Sequence, residues 1–448
     1  MEKQKKQSLV AAPGGKSYLV PFVLITSLFL LWGFAHGLLD VLNKHFQGVF
    51  TMTKAESGLV QFSTYIAYFL MALPAGAFMK RYGYRKGIIM GLLLFAIGAF
   101  GFIPAAFLHS ATPFLIALFV IACGLCILET AANPYSTILG PSASAAQRLN
   151  LSQSFNGLGW ILGPLVGGLL IFGASEGDSM ALTKPYILVG GIVLFVALLF
   201  FFTKLPEIKP EEEEEVTAIV EEKPAASIWK RRQFVRSVVA QFCYCAAQTG
   251  IFGFFINYVT EMDPGISNLR ASRILAFGGM ALFMIGRLSG SFTMKWLAPG
   301  RLLTWYSLLS AVCMALVVAS VGTLSLYALY LSFFFMSIMF PTIFALGLEG
   351  MGVYTKKASS YIVMGVAGGA FSPMLMGYIG EENMALGFIV SCISCISLSN
   401  VIDKFGMLFF TYGIRIINQY GLCMKAWVSW DKCYAQVISA YLYRFHFK

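Results

Sequence analysis

The chain has 448 residues, 58% of them hydrophobic and only 12% charged, with a net charge of +11. Soluble domains carry about 25% charged residues, so this composition excludes a water-soluble globular fold and implies an all-α membrane protein that crosses the bilayer many times. The basic excess is a topology signal, with no nucleic-acid reading attached. By connecting segment, the N-terminal side holds twenty Lys and Arg, including Lys80, Arg81, Arg85, Lys86, Arg231 and Arg232, while the other side holds five, Lys44, Lys54, Lys184, Arg270 and Arg273. The positive-inside rule places the N-terminus in the cytoplasm.

The first apolar run, 18–43, is too long for a signal-peptide core and lacks a convincing cleavage site. His36, Asp40, Asn43 and Gln47 recur at intervals of four, three and four, so they share one helix face. A lone polar stripe on an apolar helix should look into a bundle cavity rather than at lipid. An ionised carboxylate at mid-bilayer costs roughly 2.5–3.5 kcal/mol, which makes Asp40 a candidate to take up and release a proton. The competing structural reading is a fixed Asp40 paired with His36 or Lys44.

Spans 58–79 and 87–108 flank a tight basic turn, Lys80 to Lys86, after Gly76, whose lack of a side chain lets helices approach closely. Span 112–139 carries Glu129 and Asn133 four apart on one face, and Pro134 frees the carbonyl of Thr130. Glu129 can accept hydrogen bonds from a hydroxylated solute or share in protonation. Span 150–173 presents Gln153, Asn156 and Trp160 at spacings of three and four, followed by Gly163-Pro164 and Gly167-Gly168. Span 185–203 is uniformly apolar.

Residues 204–233 are polar and hold the acidic run Glu211 to Glu215, so they read as a flexible cytosolic linker. Span 234–258 offers Gln241, Tyr244 and Gln248, with Phe252 and Phe255 continuing the face and Asn257 a weaker candidate. Spans 272–294, 302–321, 325–348, 358–380 and 384–402 complete twelve. A second basic turn, Lys295 to Arg301, echoes the first. The clusters Gly163 to Gly168 and Gly365, Gly368, Gly369 with Pro373 suit helix packing as well as hinging. The domain reading is therefore 1–203 and 234–402 as two six-helix bundles joined by 204–233, a parallel-repeat arrangement that places a site near the midplane.

Competing chemistries find no support. The four histidines, His36, His45, His109 and His446, never pair at HxxxH spacing, no GxxxxGK[ST] loop is present, and the nine cysteines read as small membrane hydrophobes. No enzyme activity, cofactor or metal is expected, and a monomer is the default. Amides, aromatics and a carboxylate suit a neutral polyol better than an ion. The candidate set is Asp40 and Glu129 for proton coupling, with Glu129, Asn133, Gln153, Asn156, Gln248 and His36 for substrate. A non-transporting membrane sugar sensor and a proton-driven drug exporter are the rival readings. The first is disfavoured by the short linker, the second by the amide-rich faces.

Four segments carry a family resemblance: Phe29-Leu30-Leu31-Trp32-Gly33-Phe34 leading to Asp40, Glu129-Thr130-Ala131-Ala132-Asn133-Pro134-Tyr135, Ser152-Gln153-Ser154-Phe155-Asn156, and Met336-Ser337-Ile338-Met339-Phe340-Pro341-Thr342-Ile343-Phe344. Over about residues 18–390 the chain resembles the fucose/glucose/galactose–proton symporter branch of the major facilitator superfamily. The resemblance implies a bacterial inner-membrane sugar carrier working by alternating access, with L-fucose first and glucose/galactose or N-acetylglucosamine as alternatives. It associates Asp40 with proton coupling, Glu129 with sugar recognition and coupling, and Asn156 with the sugar site. The usual acid before the Arg of the basic turn is replaced by Lys80. From Ser391 onward the composition leaves the family pattern, so the last span is expected to be short or poorly packed and 403–448 an atypical tail, with an altered reading frame as its suspected origin.

Overall fold

Lipid offers the backbone no hydrogen-bond partners, so apolar runs of this length satisfy their own N–H and C=O groups as helices. A computed structural model describes residues 18–108, 110–139, 145–172, 182–203, 228–294, 296–349, 351 and 354–403. Among these, eleven helices are long and apolar enough to cross a bilayer, and one bent pair makes a twelfth. They are α1 (Leu19–Val49), α2 (Lys54–Met79), α3 (Tyr84–Phe107), α4 (Ala111–Ile138), α5 (Ala145–Gly167, continued by a π-helical turn Gly168–Phe172) and α6 (Thr183–Phe202). There follow α7 (Arg232–Gly253 and Phe255–Met262, bent by 45°), α8 (Asn268–Thr293), α9 (Pro299–Val318), α10 (Thr323–Leu348), α11 (Lys357–Ile379) and α12 (Met384–Ile402). The linker residues 204–227, the tail 404–448 and the side chain of Lys80 lie outside the described residues.

Within the first half α1 packs along α5, and α4 along α3; within the second, α7 packs along α11, and α9 along α10. The α1–α5 seam depends on glycine. A Cβ on Gly163 would lie 2.6 Å from the Cα of Gly37, so any side chain there would push the two backbones apart. The halves meet along α2–α11, α5–α8 and α1–α7. In the basic turn Gly83 takes φ +81, a left-handed conformation that suits glycine. Beside it Arg85 donates Nε to the carbonyl of Phe200 at 3.4 Å and Nη2 to that of Phe201, capping the open C-terminal end of α6. The end of the linker is ordered: Ile228 is buried with Phe234, Met351, Ala358 and Ile362.

Two helices run further than the sequence indicated. The expectation ended α1 at 43 and α7 at 258, but they reach Val49 and Met262. The polar residues near these ends are satisfied between helices. Asn43 donates to the Ser57 carbonyl at 3.1 Å and to Gln61 Oε1 at 2.9 Å, and Asn257 Nδ2 donates to Gln47 Oε1 at 2.7 Å across the two halves. At the same end Lys54 Nζ lies 2.6 Å from Glu261 Oε1 and donates to the carbonyls of Gly380 and Glu381, both at 2.7 Å. The Glu381 carboxylate accepts from the Lys54 N–H at 2.9 Å, at the N-terminal end of α2 where the helix dipole favours an anion. These contacts lock the two halves together at the Lys54 end.

The lock predicts a shift in conformation. The Lys54 and Glu261 side chains are 13% and 32% exposed, so their pair should contribute about 1 kcal/mol at most. In Glu261→Gln, pulsed EPR between labels at Gly48 and Asp263 should show the long-distance, open population rising by about fivefold. Unchanged distances would mean the pair adds nothing to closure. Both label positions are exposed, and a Cβ at Gly48 meets no atom within 4 Å.

The expectation of a short or badly packed last helix is corrected. Ser391, Cys395, Leu398 and Ser399 are buried, Ser391 Oγ donates to the Ala247 carbonyl of α7 at 3.3 Å, and Cys395 lies 3.6 Å from Ser310 of α9. Small polar Ser and Cys side chains, unusual by composition, still form an interhelical packing surface inside a membrane bundle.

Candidate functional site

A cavity lies between the halves, lined from the first by Trp32, His36, Tyr65, Tyr68, Glu129, Gln153 and Trp160, and from the second by Tyr244, Cys245, Gln248, Arg287, Phe340 and Val366. The seam explains its position. α1, α2, α4 and α5 face α7, α8, α10 and α11, and the lock at the Lys54 end closes it on one side. Glu129, Asn133, Gln153 and Gln248 keep partial exposure, whereas Asp40, Asn43 and Asn156 are buried.

One wall is a chain of aromatics. Trp32 and Trp160 sit edge to face with centroids 6.5 Å apart, and His36 lies 4.6 Å from Trp32 and 5.6 Å from Trp160. Trp32 Nε1 donates to the Tyr68 hydroxyl at 2.6 Å, and Tyr68 stands in electrostatic reach of Glu129. The Glu129 carboxylate keeps its acceptor capacity for a solute. From the facing half, Phe252 stacks on Phe333 with centroids 4.4 Å apart and meets Trp160 edge to face. The Tyr244 hydroxyl, in the cavity wall, is buried with no hydrogen-bond partner among the described residues.

Of the candidates read from sequence, His36, Glu129, Gln153 and Gln248 line this cavity. Asn133 stands beside it, its Oδ1 accepting from Gln153 Nε2 at 3.3 Å. Asn156 is withdrawn from the wall: it is fully buried, with Nδ2 donating to the Phe29 carbonyl at 3.3 Å. Asp40 is also outside the lining. It lies one helical turn beyond His36 toward the Lys54 end, is 4% exposed, and its Oδ2 has no hydrogen-bond partner among the described residues. The competing pairing with His36 or Lys44 is absent from the hydrogen bonds and ion pairs of the described residues, and His36 Nδ1 meets the Trp32 carbonyl at 3.1 Å. Tyr65 stands in electrostatic reach of both Asp40 and Glu129. The two carboxylates thus occupy different depths, with the His36 and Tyr65 rings near the boundary, rather than one shared wall.

The helical-face reading of α7 divides in the same manner. Tyr244 and Gln248 reach the cavity, Gln241 is buried with its Oε1 unpartnered, and Asn257 belongs to the lock. Sequence reasoning missed Arg287. It is a cation deep inside the 272–294 span, 9% exposed, and it reaches the cavity from α8. The rule that singled out Asp40, an ionisable side chain held in an apolar helix, applies to Arg287 equally. No group of three or more His, Cys, Asp or Glu that could hold a metal occurs among the described residues.

Residues 17–373 match the family model described as Major Facilitator Superfamily. The chain is 38% identical over 387 residues to the L-fucose-proton symporter of Escherichia coli (strain K12), covering 82% of this chain and 88% of that protein. It is 34% identical to a glucose/galactose transporter of Brucella abortus biovar 1 (strain 9-941), covering 84% of this chain and 92% of that protein. Among solved structures it is similar to the transporter FucP in the outward conformation, with a TM-score of 0.68, 34% identity, and coverage of 88% of this chain and 100% of that one. A D-xylose-proton symporter shares the fold at a TM-score of 0.69 and 15% identity, covering 88% of this chain and 100% of that one. With twelve helices in two bundles around a polar cavity and a family match over most of its length, this chain belongs to the Major Facilitator Superfamily.

Proposed function

We propose that the protein carries a neutral sugar together with a proton across the bacterial inner membrane by alternating access, with L-fucose as the first substrate and glucose or galactose as the second. The observation that carries this reading is the cavity itself. It combines amides, one carboxylate and a wall of Trp, Tyr and His rings between two bundles that are locked at the Lys54 end. Aromatic faces accept the apolar face of a sugar ring while amides and carboxylate meet its hydroxyls. Relatives named as a fucose–proton symporter and as a glucose/galactose transporter support the class and leave the sugar open between them.

The basic end is read as cytosolic by charge asymmetry, which makes the locked Lys54 end periplasmic. Asp40 and Glu129 carry the proton in this reading. Glu129, Gln153, Gln248 and His36 serve the sugar, with Asn133 and the buried Asn156 behind them.

The test is uptake in cells or vesicles offered L-fucose, D-galactose, D-glucose and N-acetylglucosamine. The substrate should alkalinise the medium as it enters. A non-transporting sensor would bind sugar with no alkalinisation and no uptake. Transport of none of the four would overturn the sugar reading.

A further inference from the structure

Arg287 is a cation held inside the membrane with no carboxylate within ion-pair distance among the described residues. Its charge is met by neutral acceptors. Nε donates to the Ser337 carbonyl at 3.2 Å, and Nη1 is shared among Asn156 Oδ1 at 3.2 Å, Gln153 Oε1 at 3.4 Å and the Gln153 carbonyl at 3.4 Å. The Phe283 ring lies 4.8 Å from its Cζ. Ser337 sits where α10 is interrupted, between Thr323–Met336 and Met339–Leu348. One planar guanidinium therefore joins the break in α10 of the second half to two amides of α5 in the first.

We propose that Arg287 is a positioning residue that orients the cavity-lining Gln153 amide for substrate, with the buried Asn156 as its second anchor. An amide has an acceptor end and a donor end. Because Arg287 engages the oxygen of each, their NH2 groups point the other way. That of Gln153 goes to Asn133 Oδ1, that of Asn156 to the Phe29 carbonyl. Without the guanidinium the Gln153 amide could flip and exchange donor for acceptor, and the pattern that this cavity-lining side chain offers to sugar hydroxyls would be lost. The same fork gives the second half a direct hold on the substrate-side residues of the first. A lysine would keep the charge but lose the planar fork that serves Ser337 and the amides at once. This inference rests on the sugar-carrier reading.

The experiment is equilibrium binding of the purified full chain to L-fucose, or to whichever of the four sugars the wild type takes, alongside thermal unfolding. Arg287→Lys and Arg287→Gln should each weaken binding about tenfold or more, with unfolding temperature held near the wild-type value. In a Gln153→Ala background Arg287→Lys should cost markedly less, since the amide it acts through is gone. Wild-type affinity in Arg287→Lys would overturn the proposal, because charge without the fork would then suffice. An equal loss in both backgrounds would overturn it too. If the Arg287 variants do not fold, Phe283→Leu removes the ring beside the guanidinium and leaves every polar atom. It should weaken binding two- to fivefold, and wild-type affinity there would count against the proposal. Wild-type protein that binds none of the sugars would instead sink the sugar-carrier reading.

Discussion

Asp40→Asn is expected to abolish uphill sugar uptake while leaving sugar counterflow intact. The amide copies the size and neutrality of a protonated carboxyl but has no proton to exchange, so the loaded carrier should still reorient. The buried Oδ2 of Asp40 has no hydrogen-bond partner among the described residues, and the side chain lies one turn past the cavity-lining His36. A group so placed can gain or lose a proton without losing a sugar contact. One charge moving across 100 mV is worth about 2.3 kcal/mol, which at about 1.4 kcal/mol per decade corresponds to roughly fifty-fold accumulation. The variant should bring that ratio to about one. Accumulation persisting in Asp40→Asn would mean that coupling runs elsewhere.

The second large effect is at Glu129. Removing its carboxylate in Glu129→Ala should weaken sugar binding by roughly ten- to a hundred-fold, as hydrogen bonds to a charged group contribute about 1.5–3 kcal/mol. The acceptors facing the cavity disappear with it. Glu129→Gln should recover part of the affinity, because the amide oxygen still accepts from a sugar hydroxyl. Direct binding measurements on purified protein decide the matter, and unchanged affinity in Glu129→Ala would remove the residue from the site.

The number, order and approximate limits of the spans were legible, because an apolar run long enough to cross lipid has little choice but helix. The ends of α1 and α7 were less so. Asn43, Gln47 and Asn257 lie at or near the expected ends, and each finds its partner on another helix. The last helix shows the same limit from the other side. Its Ser and Cys content departs from the family pattern, while its buried face packs on α7 and α9.

At the site, periodicity grouped His36 with Asp40, and Gln153 with Asn156, as same-face residues. A helix face is wider than a cavity mouth, however, and successive turns along it reach different depths. So His36 and Gln153 meet the cavity, while Asp40 and Asn156 are buried beside it. Arg287 went unnoticed since its partners, Gln153 and Asn156, are more than a hundred residues away in the chain.

The sequence by itself determined a helical membrane protein in two halves, the sidedness suggested by its basic turns, and the intramembrane carboxylates worth attention. These follow from composition and local periodicity, which act through the solvent each segment meets. The tertiary structure alone decided which polar groups are paired across the seam, that the Lys54 end is locked, and that the two carboxylates lie at different depths. Those outcomes depend on which helix stands opposite which, and hydrogen bonds between residues distant in the chain leave no mark in local spacing.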